Sequence, residues 1–306
     1  MSGSLLVQVL VSGLAAGGVY GLVAVGHTLV FRLTGVVHLA LGDLVALGVF
    51  TTLLVASGTG PTAEGAAGWR FWLGVAAGIA ACMLVGAGGY VAVIQPYLAR
   101  GWTVGWVAGT LALGFAIRAL LQALLPRSSY VFPDPLGVDG TVTLAGATIQ
   151  VRSLVVIAIV AGLAVLAAWV LEQTRFGRAL QAISTDSEGA LFVGIPVERF
   201  VVLAFALVGA LAALAAIAAA PGAPFDIDAG AVLGVKGLLA AIAVGFASPR
   251  RALFAGVALG LGEAAIANLD PAGLGVGPAW REVLPLALVL LVLALRPSAD
   301  AVPERE

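Results

Sequence analysis

Long apolar runs follow one another along almost the whole of this chain, near residues 5–31, 35–56, 71–94, 103–125, 153–171, 200–220, 232–248, 252–269 and 283–295. A helix that crosses a bilayer needs about 20 mostly apolar residues, and most of these runs meet that length. They are continuous, not alternating, which excludes a transmembrane β-barrel. Only 10% of the 306 residues are charged and 61% are hydrophobic. A soluble domain carries about 25% charged residues, so this chain could not clothe a water-facing surface. The expected fold class is an all-α polytopic membrane protein, a single transmembrane domain over residues 1–306. The last run is short and the pair 232–248 and 252–269 is rich in Gly, so eight to nine transmembrane helices are expected.

Arginine distribution sets an orientation by the positive-inside rule. With residues 172–199 in the cytoplasm, Arg32, Arg100, Arg175, Arg178, Arg199, Arg250, Arg251, Arg296 and Arg305 fall inside. Arg70, Arg127, Arg152 and Arg281 fall outside. The amino terminus is then external and the carboxyl terminus cytoplasmic. Arg32 is the first charged side chain, so no basic region precedes the first apolar run, and that run reads as a permanent span, not a cleaved signal. Arg outnumbers Lys 14 to 1 beside abundant Ala and Gly, which reads as codon bias in a GC-rich bacterium. The expected location is the bacterial inner membrane. A net charge of −1 gives no sign of nucleic-acid binding, and Cys82 is the lone cysteine.

Residues 126–152 form the longest external loop. "FPDPLG" cannot continue a helix, because Pro lacks an N–H and restricts its predecessor. "TVTLAGATIQV" reads as a small hairpin around Ala-Gly-Ala. The loop is either a connector or a lid or docking surface on the outer face.

Small residues recur at helical spacing in Gly13/Gly17/Gly21, Gly74/Gly78, Gly105/Gly109 and Gly256/Gly260. In lipid such stripes let helix backbones approach closely. "GLAAGGVYGLVAVG" followed by "TGVVHLALGDLVALGVF" is similar to "GALAALAAIAAAP" followed by "LGVKGLLAAIAVGF". In the expected threading the two copies run in opposite directions, the pattern of an inverted repeat, whose interface often holds a substrate path.

Charges inside spans are costly, which makes them functional candidates. His38, Asp43, Lys236 and Glu263 are the candidate translocation-path residues. Asp43 lies 11 residues past Arg32, roughly 16 Å along a continuous helix at 1.5 Å per residue. Lys236 and Glu263 stand 14 residues before and 13 after Arg250. A hairpin turning there brings them to one depth, with charged ends expected within about 8 Å. Such a pair can line a path or only fix helix register. His27 is the only other histidine, so no metal site is expected. Arg118 is expected to snorkel to the outer interface.

Enzymatic signatures are lacking. The lone lysine, Lys236, is followed by Gly237, so there is no phosphate loop of the G-x-x-x-x-G-K-[ST] kind. No nucleophile elbow or H-E-x-x-H occurs. No catalytic residue and no cofactor of its own are expected. Uphill transport would draw on an ion gradient or on another subunit.

The stretch "RFGRALQAISTDSEGALFVGIPVERF", residues 175–200, is polar and marked by turn signals. Thr185 and Glu188 form a capping box, Asp186 and Glu188 suit the positive end of the helix dipole, and Gly194 with Pro196 supplies a stop. A helix over 186–193 is expected, carrying Ala190, Leu191, Phe192 and Val193. A helix so short is marginal alone and must dock on something.

Three stretches resemble the branched-chain amino acid ABC-transporter permeases of the LivH type. They are "TRFGRALQAISTDSEGALFVGIPVERFVVLAFALVGALAALAA", "SGLAAGGVYGLVAVGHTLVFRLTGVVHLALGDLVALGVF" and "GVKGLLAAIAVGFASPRRALFAGVALGLGEA". The resemblance implies that residues 172–199 are a cytoplasmic coupling loop, with Asp186, Glu188, Ala190, Leu191, Phe192 and Gly194 facing an ATPase. It implies a second homologous permease, two ATPase subunits that bind ATP and Mg, and an extracytoplasmic binding protein, all around a chain embedded in lipid. The family's second-span signature N-F-A-H-G-E stands here as His38-Leu39-Ala40-Leu41-Gly42-Asp43. The acid is kept, the family's His is Leu41 and its Asn is His38, so the exact solute stays open among branched-chain amino acids, other amino acids, amides and urea. Two rival readings are a self-contained ion-coupled secondary transporter and a structural membrane subunit without a conduction path.

Overall fold

A backbone in lipid must satisfy its own hydrogen bonds, and the long apolar runs among the described residues do so as helices. The computed structural model describes residues 3–57, 68–102, 104–125, 129–132, 137–138, 140–144, 146–221, 224–268 and Ala287. Helices in chain order are α1 (Gly3–Thr34), α2 (Leu41–Ser57), α3 (Gly68–Gly89), α4 (Gln95–Ala99) and α5 (Gly105–Leu124), then α6 (Val151–Gln173), α7 (Arg175–Thr185) and α8 (Ser187–Phe192). α9 (Val197–Ala219), α10 (Ala229–Ala243) and α11 (Pro249–Asn268) follow. A π-helical turn, Tyr90–Ile94, joins α3 to α4. Strands β1 (Ser129–Val131) and β4 (Pro224–Asp226) pair antiparallel, as do β2 (Thr141–Leu144) and β3 (Ala147–Gln150). The β2–β3 pair is the hairpin expected from "TVTLAGATIQV", and Gly146 turns it at φ 79°.

The chain is an all-α polytopic membrane protein. Among the described residues, five helical segments are long and apolar enough to cross a membrane: α1, the unbroken run Gly68–Ala99, α5, α6 and α9. α2 and α10 are as apolar but have 17 and 15 residues, about 25 and 22 Å at 1.5 Å per residue. The expected span 283–295 lies outside the described residues apart from Ala287.

The expected span at 35–56 begins later than its apolar run. α1 ends at Gly35, whose φ of 71° is left-handed, a conformation open to Gly at no steric cost. Residues 36–40 then run non-helically through the interior, with Val36, His38 and Ala40 buried. Asp43 therefore sits in the first turn of a new helix, and the 16 Å offset from Arg32, which assumed one continuous helix, does not apply.

α1 is the central post. It packs on α6, α9, α10 and α11, and its residues from Gly17 to Val30 are all buried. A helix surrounded in this way is apolar all round. Its Gly stripe is an interface: a Cβ on Gly17 would lie 2.7 Å from the Val257 carbonyl, and one on Gly21 2.7 Å from the Leu253 carbonyl. From the other side, a Cβ on Gly260 would lie 2.2 Å from Gly17 Cα, and one on Gly256 2.3 Å from Gly21 Cα. The α1 and α11 backbones touch, with no side chain able to yield. Gly260→Leu should force them apart at a cost of about 1–3 kcal/mol, the range for overpacking. Thermal unfolding of the purified chain in detergent reads this, and an unchanged midpoint would show that the contact is not needed.

α2 and α10 cross in the same fashion at their amino-terminal ends. A Cβ on Gly42 would meet the Gly230 carbonyl at 2.7 Å, and one on Gly230 would meet the Gly42 carbonyl at 2.6 Å. The contact is reciprocal, each helix offering its second residue to the other. Each of these short helices also follows a long one, α1 before α2 and α9 before α10.

Candidate functional site

Polar side chains inside an apolar bundle must find each other, and here they form separate groups. Lys236 on α10 and Glu263 on α11 are brought together as the sequence spacing predicts. Lys236 Nζ donates to Glu263 Oε1 at 2.9 Å and Oε2 at 3.0 Å. Tyr20 of α1 completes the group: its hydroxyl donates to Glu263 Oε2 at 3.0 Å and accepts from Lys236 Nζ at 3.2 Å. Lys236 Nζ also stands 5.1 Å from the Tyr20 ring centroid. Glu263 is buried and the Lys236 side chain is 13% exposed. Three helices are thus pinned at one level by one carboxylate with two donors.

Asp43 is in a different group. Arg118 on α5 donates to Asp43 Oδ1 through Nη2 at 2.9 Å and through Nε at 3.3 Å. Arg118 Nε also lies 3.5 Å from Asp228, just before α10. The expectation that Arg118 snorkels is corrected: it turns to the buried carboxylate, because an unpaired ion at that site costs more than the ordering of a long side chain. Gly114 makes room, since a Cβ there would fall 2.3 Å from Asp43 Oδ2. The group opens outward from Asp43, 10% exposed, through Arg118, 26%, to Asp228, 71%. Asp43 also lies in the first turn of α2, where a negative charge is favoured by the helix dipole.

His38 is buried in the connection before α2, its ring 5.5 Å from that of Phe205. His27 lies on α1, with Nε2 3.2 Å from the Gly234 carbonyl of α10. Among the described residues, no group of three or more His, Cys, Asp or Glu is placed to hold a metal.

An open cleft of about 630 Å³ lies beside the first group. Ser12 and Tyr20 of α1, Arg152 of α6 and the acids Asp226 and Asp228 line it. Tyr20 therefore joins the cleft to the Lys236–Glu263 pair.

At the opposite end, the polar stretch folds as two helices. α7 was not expected. Its signal is Thr174, whose hydroxyl accepts from Gly177 N at 3.1 Å, and a buried stripe of Gly177, Leu180 and Ile183. Because α7 runs through Thr185, that residue is not the cap of the next helix. Its hydroxyl donates to the Gln181 carbonyl at 3.0 Å. Asp186 is the cap instead, extended at φ −152°, its Oδ1 accepting from Gly189 N at 2.9 Å. The expected helix 186–193 is thus Ser187–Phe192.

The stop signal acts as expected. Gly194 is left-handed at φ 85°, Ile195 N donates to Ala190 O and Gly194 N to Leu191 O, both at 3.0 Å. These two bonds are the Schellman pattern. Ala190 faces inward at 4% exposure, while Leu191, Phe192 and Val193 are 64, 90 and 77% exposed. Glu188 is exposed beside them.

Residues 9–293 match the family model described as the branched-chain amino acid transport system permease component. The chain is similar to the high-affinity branched-chain amino acid transport system permease protein LivH of Salmonella typhimurium, 27% identical over 95% of this chain and 94% of the relative. LivH of Escherichia coli K12 is 26% identical over the same shares. BraD of Pseudomonas aeruginosa, a permease protein of the same description, is 25% identical over 95 and 94%.

Proposed function

We propose, on the premise that this chain belongs to the family of branched-chain amino acid transport permease components, that it is the membrane-spanning permease of an ATP-driven importer of branched-chain amino acids or related small polar solutes. The observation that carries this reading is the family match from residue 9 to residue 293. The whole chain is then one permease domain, multi-pass in the bacterial inner membrane. α2, α10 and α11 join the five longer crossings, with 283–295 as a ninth. The amino terminus is outside and the carboxyl terminus inside. Grouping of Arg32, Arg178 and Arg250 at the α7 end supports that end as the cytoplasmic one.

The working assembly pairs the chain with a second, homologous permease. Two cytoplasmic ATPases hold ATP and Mg, and an extracytoplasmic binding protein docks over residues 126–152. Residues 172–199 form the coupling loop, where the end of α8 presents Leu191 and Phe192, with Val193 just past it. Asp186 and Gly194 fix its two ends, Ala190 roots it on the bundle, and Glu188 lies on its solvent side.

α1–α2 and α9–α10 form an inverted repeat, supported by the reciprocal Gly42–Gly230 contact. Short helices that begin within the bundle at such a crossing are the usual surroundings of a solute path. The path passes Asp43, with Arg118 and Asp228, a carboxylate–guanidinium–carboxylate row that can match a zwitterion. His38 backs this region from the interior. Lys236 and Glu263 border the outer cleft through Tyr20.

The test is uptake of labelled leucine by cells expressing this chain together with a second permease, the ATPases and a binding protein. Uptake should vanish when the ATPase genes are deleted and fall several-fold in Arg118→Ala. Uptake that persists without any ATPase would point to an ion-coupled carrier and overturn the importer reading.

A further inference from the structure

A cavity of about 490 Å³ lies between α1, α6, α7 and α11 at the α7 end of the bundle. α6 and α11 both pack on α1 but barely touch each other, which leaves room between them. The inner wall is apolar: Val25 and Leu29 of α1, Ala164 and Ala168 of α6, and Leu253 of α11. The rim is polar: Arg32, Glu172, Gln181, Ser184 and Arg250. From Arg32 to Val25 the wall descends two turns, about 10 Å at 1.5 Å per residue.

The rim carries two arginines and one carboxylate. Arg250 pairs with Glu172. Arg32 donates to the Ala247 carbonyl at 3.3 Å and to Ser184 Oγ at 3.4 Å. A guanidinium has five N–H groups, so Arg32 can still serve an anion at the mouth. Arg250, 68% exposed on its side chain, can turn toward the same point.

A cationic mouth over an apolar chamber, at the end of the bundle read above as cytoplasmic, suits an amphiphile with an anionic head. A free anion would gain nothing from the alanine-lined wall, and a neutral lipid nothing from the arginines. We propose that this cavity binds an anionic phospholipid of the cytoplasmic leaflet, its phosphate at Arg32 and Arg250 and one acyl chain along α6. Basic pockets between membrane helices on the cytoplasmic side suit such headgroups. The site has a consequence for coupling. Its α7 wall, Leu180, Gln181 and Ser184, leads directly to Asp186, the cap of α8. A bound lipid braces the helix from which α8 hangs.

The inference rests on the orientation proposed above, and the two are read separately. Thr185→Cys, labelled in intact cells with an impermeant thiol reagent, reports the side. Labelling from outside would overturn the cytoplasmic-leaflet assignment. Lipid retention is measured on the purified full chain by native mass spectrometry, after release from nanodiscs holding equal phosphatidylglycerol and phosphatidylcholine. Phosphatidylglycerol should be retained at least fivefold over phosphatidylcholine. Arg32→Gln with Arg250→Gln should remove that preference, and Ala168→Phe should lower retention of both lipids. Equal retention of the two lipids by the unaltered chain, or undiminished preference in the double arginine variant, overturns the proposal. Loss of retained phosphatidylglycerol on adding millimolar inorganic phosphate also overturns it, as the mark of a free-anion site. The arginines lie at the rim, so the double variant keeps the test sound if Ala168→Phe fails to fold.

Discussion

Lys236→Ala should destabilise the purified chain by roughly 3–5 kcal/mol, the cost of leaving one partner of a buried ion pair uncompensated. Glu263 would keep the Tyr20 hydroxyl at 3.0 Å and lose the ammonium at 2.9 Å. Tyr20→Phe removes one neutral donor and should cost about 0.5–1.5 kcal/mol. Replacing both ions, Lys236→Met with Glu263→Leu, should recover most of the loss, since an apolar pair of similar volume often matches a buried salt bridge. Thermal unfolding in detergent reads all three, and a Lys236→Ala protein as stable as the parent would sink the idea that the pair pins α1, α10 and α11. Transport by the double variant then decides what the pair is for. Restored stability with restored uptake makes it a register device; restored stability without uptake puts it on the solute path.

The pair illustrates what was legible in the sequence. A hairpin turning at Arg250 makes depth a matter of counting residues, so Lys236 and Glu263 could be matched from spacing alone. Tyr20 could not, because nothing in an apolar helix marks which of its faces meets α10 and α11. Asp43 and Arg118 are 75 residues apart in sequence, with no hairpin relating them. Elimination was the available signal: once Lys236 is assigned to Glu263, Arg118 is the remaining cation inside a span for Asp43.

Among the described residues, the existence of the apolar helices was legible from run length, but their ends were not always. The run at 35–56 is as apolar in its buried non-helical part as in α2, and only Gly35 hints at the break. Thr185 shows the same limit at finer scale. Thr-x-x-Glu describes a capping box correctly, yet the preceding amphipathic stripe of Leu180 and Ile183 carries α7 through Thr185. The cap then passes to the next residue able to accept an amide, Asp186. A local motif yields to a longer periodic one when both claim the same residue.

Polar replacement of the α8 tip, Leu191→Asp with Phe192→Asp, should lower solute-stimulated ATP hydrolysis and uptake at least tenfold while leaving the permease folded. The two halves of that expectation follow from one observation. These side chains are 64 and 90% exposed, so the chain itself gains little from them. Fully burying a Leu or Phe side chain is worth about 1.5–3 kcal/mol. If a partner ATPase covers both, losing that burial weakens association by more than a factor of ten, since about 1.4 kcal/mol is tenfold. Co-purification of the ATPase and the thermal midpoint of the permease separate the two effects. Asp186→Ala is the graded comparison: it removes the cap, costs α8 about 1 kcal/mol, and should weaken coupling less than the double aspartate. Full coupling in the double variant would mean that the ATPase grips elsewhere on residues 172–199. In that case the exposed tip, held out by a cap at one end and a left-handed glycine at the other, would need another partner, because a six-residue helix is too short to persist in water by itself.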